Sequence, residues 1–157
     1  PDIYGSISSS LKFRGFDLGL LFTYSLGGKI YDSIYNAMME PSFVGQTYHR
    51  NALRTWTAPG QRTDVPRTTT TASTQITDRY LVDASYFAVK NISLGYSLPK
   101  RLLGKVGIES LRVYLAADSP WTFTHLKGMN PQASFTGSTS YSYTPNRTFT
   151  LGVDLKF

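Results

Sequence analysis

Over the last ten residues apolar and polar side chains alternate without a break. Phe149, Leu151, Val153, Leu155 and Phe157 fall on one face, and Thr148, Thr150, Gly152, Asp154 and Lys156 on the other. Successive side chains of an extended chain point to opposite sides, so this stretch predicts a strand, about 146–157, with one apolar side. The pattern recurs four times upstream. Over 3–13, Ile7, Leu11 and Phe13 alternate with Ser6, Ser8, Ser10 and Lys12. Over 16–26, Phe16, Leu18, Leu20, Phe22 and Tyr24 stand against Asp17, Gly19, Thr23 and Ser25, with Leu21 the exception. Over 86–98, Ile92, Leu94, Tyr96 and Leu98 oppose Asn91, Ser93, Gly95 and Ser97. Over 110–120, Leu111, Val113, Leu115 and Ala117 oppose Arg112, Tyr114, Ala116 and Asp118. Each predicted strand is about ten residues long, the length a tilted strand needs to cross a bilayer.

The links between these strands alternate in length. Arg14-Gly15 predicts a tight turn, and 99–109 a short link in which Pro99 opens a single helical turn that Gly104 ends. The other two, 31–85 and 122–145, are long and polar; the first carries the run Thr68-Thr69-Thr70-Thr71. Short turns at one end and long loops at the other are the habit of membrane barrels. With the last strand running inward to the periplasm, both long loops fall outside.

Composition sharpens this. Charged residues are 17% of the chain, below the roughly 25% of soluble domains. The polar faces hold mostly Ser, Thr and Gly, and Tyr24, Tyr96, Trp121 and Phe157 lie near strand ends, where aromatic girdles occur. No apolar run is long enough for a membrane helix. Alternation alone leaves a second architecture open: a soluble β-sandwich, for instance a carbohydrate-binding module, also buries one face of each strand.

Candidate chemistry is sparse. The absence of cysteine removes disulfides, thiolate catalysis and cysteine-bound zinc. His49 and His125 are far apart and lack carboxylates at metal spacing, so no catalytic, metal or cofactor site is expected, and the chain is not expected to be an enzyme. Gly27-Gly28-Lys29-Ile30 lacks the leading Gly and the following Ser/Thr of a phosphate loop and fits a strand end better. Asn91-Ile-Ser and Asn146-Arg-Thr match glycosylation sequons but lie in predicted strands. The formal charge of +6 raises nucleic acid or anionic lipid as partners. The basic residues are dispersed, however; the densest group is Lys100, Arg101 and Lys105, inside a turn, so no nucleic-acid partner is expected. A first residue other than Met fits a piece of a longer protein.

Several segments carry a resemblance. They are Asp83-Ala-Ser-Tyr-Phe-Ala-Val-Lys-Asn-Ile-Ser-Leu-Gly-Tyr-Ser-Leu-Pro99, Leu111-Arg-Val-Tyr-Leu115, Trp121-Thr-Phe-Thr124 and Lys127-Gly-Met-Asn-Pro131. With them go Pro145-Asn-Arg-Thr-Phe-Thr-Leu-Gly-Val-Asp-Leu-Lys-Phe157, Arg14-Gly-Phe-Asp-Leu18, and Trp56 with Thr63-Asp-Val-Pro-Arg67. In this order and spacing they resemble the C-terminal region of the SusC/RagA family of TonB-dependent outer-membrane transporters of Bacteroides and relatives. Two places depart: Ala117-Asp-Ser-Pro120 replaces an Asn-containing stretch, and Asn130 a usual Asp.

The resemblance implies an all-β segment, the last five strands of an antiparallel transmembrane barrel of about 22 strands with a plugged lumen. It implies a place in the bacterial outer membrane and uptake of glycans or oligopeptides. The implied partners are the rest of the barrel and its plug, a SusD-like surface lipoprotein, TonB acting through an N-terminal region, the barrel-assembly machinery and the lipid bilayer. On this reading Phe149, Leu151, Val153, Leu155 and Phe157 face lipid, and Phe157 resembles the signal read by the assembly machinery. Tyr48, Arg54 and Trp56, in the first long loop, are candidates to contact a sugar or peptide by stacking and hydrogen bonding.

Overall fold

A computed structural model describes residues 1–40, 45–67, 76–104, 107–126, 128–132, 137–138 and 144–157. Thr68 to Thr71, Lys105 and Lys127 lie outside the described residues. In chain order the strands are β1 (Ile3–Phe13), β2 (Phe16–Leu26), β3 (Lys29–Tyr31), β4 (Leu81–Asp83), β5 (Tyr86–Ser97), β6 (Ser110–Thr124) and β7 (Thr148–Lys156). Two short helices accompany them, α1 (Ser33–Met39) and α2 (Lys100–Leu103). Five strands form one sheet in the order β1-β2-β5-β6-β7, every neighbour antiparallel. Strands β3 and β4 form a separate two-stranded ribbon.

The register aligns the alternating patterns across the whole sheet. Leu11 pairs with Leu18, Leu18 with Leu94, Leu94 with Leu115, and Leu115 with Leu151. Directly opposed residues share a face, so these five leucines form one row. Rows above and below it extend this apolar surface, with Ser9 the polar exception on the edge strand β1. The other face carries Ser10, Gly19, Ser93, Ala116 and Thr150, also in register. The β1–β2 link is a two-residue turn with positive φ at both Arg14 (48°) and Gly15 (88°), the primed geometry whose twist matches antiparallel strands.

Three features differ from the sequence expectation. Strand β6 runs to Thr124 rather than stopping near Pro120. Proline cannot donate to a ladder, but here Ser119 and Pro120 form part of an irregularity between the pairs Asn91–Asp118 and Val89–Trp121, with Ser119 at φ 49°. Pairing resumes at Trp121, so the second long loop begins later than residue 122. The same irregularity passes through β5. There Leu21–Asn91 is followed by Phe22–Val89, leaving Lys90 as an extra residue. The apolar positions of β5 therefore change parity, from Phe87 and Val89 to Ile92 and Leu94.

The described residues of the stretch 31–85 form a folded lobe rather than a bare loop. The Asp32 carboxylate caps α1 by accepting from the Tyr35 backbone N–H at 2.8 Å. Met39, Val65 and Tyr80 form a small buried cluster flanked by Tyr31, Tyr35 and Ala52. A second cluster of Ile30, Ala84 and Leu126, flanked by Val82 and Met129, seats the ribbon on the upper end of the sheet. The 99–109 link contains the helical turn α2, with Pro99 at its N-cap and Gly104 at its C-cap.

Candidate functional site

The sheet has two faces of opposite chemistry, and the apolar one is largely open. On the apolar face, Phe149 is 75% exposed and Leu151 70% exposed, with Val153, Leu155 and Phe157 exposed beside them. A β-sandwich would enclose these side chains beneath a second sheet. Among the described residues the second sheet is the short β3–β4 ribbon, which packs at the strand ends. The five residues read as the lipid face thus lie together as an open apolar band, extended by Leu115, Leu94 and Phe16 on neighbouring strands. A band of this kind needs a nonaqueous surrounding. Its aromatics cluster toward the strand ends: Phe16 meets Tyr96 at a 4.5 Å ring separation, and Phe87 lies between Phe22 (5.7 Å) and Phe123 (6.3 Å).

The polar face holds an ion-pair network that sequence reading missed. Arg112 donates from Nε and Nη2 to the Asp17 carboxylate at 3.0 and 2.6 Å, and from Nη1 to Asp154 at 3.1 Å. The guanidinium also lies 5.0 Å from the Tyr114 ring centroid. The pairing is possible because Gly95 lies between: a Cβ there would sit 2.5 Å from an Asp17 oxygen and 2.6 Å from Arg112 Nη2. Three charged residues and a glycine on one face of four neighbouring strands were the available signal. Higher on this face Asn91 donates to Asp118 at 2.7 Å, and the extra residue Lys90 donates to Gln132.

The loop candidates lie in one segment of the lobe. Tyr48 is exposed, Trp56 half-buried, and the Arg54 guanidinium is held by Asp64. The Trp56 backbone N–H donates to Val65 at 3.0 Å, so this segment folds back on itself. His49 is structural here: its Nδ1 accepts from Asn51 at 3.2 Å at the start of a 3-10 turn, and its ring stands edge-on to Tyr35 at 5.0 Å. Burial and the nearby Glu40 charge raise the Tyr80 phenol to about 12, and the same two causes raise Tyr31. At the root of the lobe the Ser85 hydroxyl and backbone N–H hold the Asp83 carboxyl below its ordinary value. The Ser85 Oγ in turn accepts from the Gly27 N–H at 3.0 Å, which pins the end of β2 to the start of β5.

No family model matches the chain. Individual relatives align along nearly all of it. TonB-dependent receptor P3 of Formosa agariphila is 32% identical, with 100% of this chain and 16% of the receptor covered. TonB-dependent receptor SusC of Bacteroides thetaiotaomicron is 24% identical, with 99% of this chain and 15% of the receptor covered. Among solved structures, the RagAB peptide importer in its closed-closed state matches with a TM-score of 0.80 at 28% identity, covering 98% of this chain and 17% of that one. Its open-open state matches with a TM-score of 0.77. The chain therefore spans only a small part of the length of the proteins it resembles.

Proposed function

We propose that this chain, a barrel segment belonging to the SusC/RagA family of TonB-dependent receptors, forms part of the wall and outer lobe of a bacterial outer-membrane importer for glycans or oligopeptides. The observation that carries this reading is the two-faced sheet. One face is an apolar band of lipid-compatible side chains, and the other is built of small polar residues and a charge network suited to a wet lumen. The outer strands β1 and β7 each leave one edge unpaired within the chain. In lipid each unsatisfied backbone group would cost several kcal/mol, so further strands must complete the ring. The remaining barrel, a plug, TonB and a SusD-like lipoprotein are the partners such a receptor would use, with the lobe as the surface-facing part. Tyr48 and Trp56 are the lobe aromatics proposed to touch cargo. The likeness of Pro145–Phe157 to the family's closing strand supports a second role for that strand, recognition by the barrel-assembly machinery.

Fractionation of the full-length receptor tests the wall. Recovery with the outer membrane, released only by detergent, is expected, and recovery in the soluble periplasmic fraction would sink the reading. Cells carrying the receptor should accumulate labelled oligopeptide or oligosaccharide only while TonB is intact. Equal accumulation without TonB would overturn the import mechanism and leave the wall standing.

A further inference from the structure

The short-turn end of the sheet carries positive charge that no carboxylate among the described residues neutralises. Its carboxylates are already engaged: Asp17 and Asp154 hold Arg112, and Glu109 holds Lys156 at 2.8 Å. Arg14 in the β1–β2 turn, and Lys100 and Arg101 on α2, are exposed and have no carboxylate partner among the described residues. The two groups are neighbours in space, because the Ser97 N–H donates to the Gly15 carbonyl at 2.8 Å and the chain enters α2 three residues later.

The same end is apolar on its outer side. The Arg14 guanidinium lies over the Phe13 ring, 5.1 Å from its centroid, and Phe13 belongs to the apolar face through its pairing with Phe16. Phe13 is 69% exposed, and on α2 Leu102 is 63% exposed while Leu103 turns inward. Cations standing beside exposed aromatic and aliphatic groups, continuous with the apolar band, match a lipid headgroup above its acyl chains. Water alone would satisfy the cations but not Phe13 and Leu102.

We propose that the short-turn rim is a binding site for anionic phospholipid, with Arg14, Lys100 and Arg101 holding the phosphate and Phe13 and Leu102 lying against the upper acyl chains. The site rests on the wall reading, since only a sheet in a bilayer presents this rim to headgroups. The occupant is a membrane lipid rather than a free anion, because a soluble phosphate would use the cations and leave the apolar contacts unmade.

The test uses full-length receptor purified in a nonionic detergent and titrated with phosphatidylglycerol or phosphatidylcholine of the same acyl chains, with bound lipid counted by native mass spectrometry. The receptor is expected to retain phosphatidylglycerol preferentially. The variant R14N/K100Q/R101Q should lose the preference by about fivefold for each cation removed. Asn suits the left-handed conformation at position 14. K100Q/R101Q, confined to an exposed turn, keeps the test decisive should the triple variant fail to assemble. Soluble glycerol phosphate should not displace the lipid. Equal binding of both lipids, an undiminished preference in the variants, or full displacement by glycerol phosphate would each overturn the site. Absence of the receptor from the membrane fraction would instead overturn the wall reading beneath it.

Discussion

Arg112 on β6 reaches across β5, over Gly95, and grips Asp17 on β2 with two parallel hydrogen bonds. Two strands that share no ladder are thereby tied through their side chains on the polar face. Planar guanidinium and carboxylate groups fit in this way, and lysine could not reproduce the second bond. Gly95→Val is expected to displace the pair and to cost about 1–3 kcal/mol through overpacking. Arg112→Gln should also lower the unfolding temperature of the full-length barrel. Because the two changes act on one contact, Gly95→Val should cost markedly less when Arg112 is already Gln. Heat-modifiability gels of the four proteins check this; additive effects would mean that Gly95 serves something other than the pair.

The facing of β7 can be tested with neighbouring positions. Leu151→Arg places a cation on the apolar band and should cost about 2–4 kcal/mol near mid-bilayer. Thr150→Arg, pointing to the polar face, should cost far less. Outer-membrane yield of the full-length receptor separates them, and equal losses would mean that the faces are misassigned.

Tyr80 should make the lobe sensitive to alkali. Its phenol, buried against Tyr31 and Tyr35 and donating to Glu40 at 3.3 Å, ionises at about 12 instead of about 10. A raised value means that the folded lobe favours the neutral phenol. Its contribution is therefore complete below about 10 and falls as the pH climbs from about 10 to 12. Limited proteolysis across that range should show cleavage in the lobe before any loss of barrel resistance. Tyr80→Ala should expose the lobe already at neutral pH, at a local cost of about 3–5 kcal/mol.

Phe157 is expected to matter more during assembly than afterwards. Phe157→Ser in the full-length receptor should slow appearance of the folded form in a pulse-chase experiment while leaving the heat stability of assembled barrels nearly unchanged. Unaltered assembly kinetics would reduce this residue to one more apolar side chain.

The strands of the large sheet were legible because an apolar face and a polar face impose a period of two on every strand, so that Phe149 to Phe157 or Phe16 to Tyr24 announce themselves without any knowledge of their neighbours. The lobe was not legible. The ribbon strands β3 and β4 are three residues each, and what holds them is the meeting of Ile30, Ala84 and Leu126, residues remote in sequence. Short segments stabilised by distant contacts leave no period to read. The Arg112 network was hidden likewise, since Asp17 and Arg112 become neighbours only through strand order. One overlooked trace was present: in β5 the apolar positions pass from odd numbers (Phe87, Val89) to even (Ile92, Leu94), the mark of one extra residue.

That extra residue, Lys90, sets the reading frame of the upper wall. Removing it by deletion would restore an unbroken alternation in β5, a repair on paper. In the folded sheet Phe87 and Val89 would keep the apolar face and pair with β2 in step, but Ser119 and Pro120 on β6 would lose the one residue that stands opposite them, and the stagger between β5 and β6 would change. Stagger between strands also accumulates around a closed ring and fixes its tilt and girth. A single lysine out of step in one strand is therefore part of the geometry by which the whole cylinder meets its own beginning.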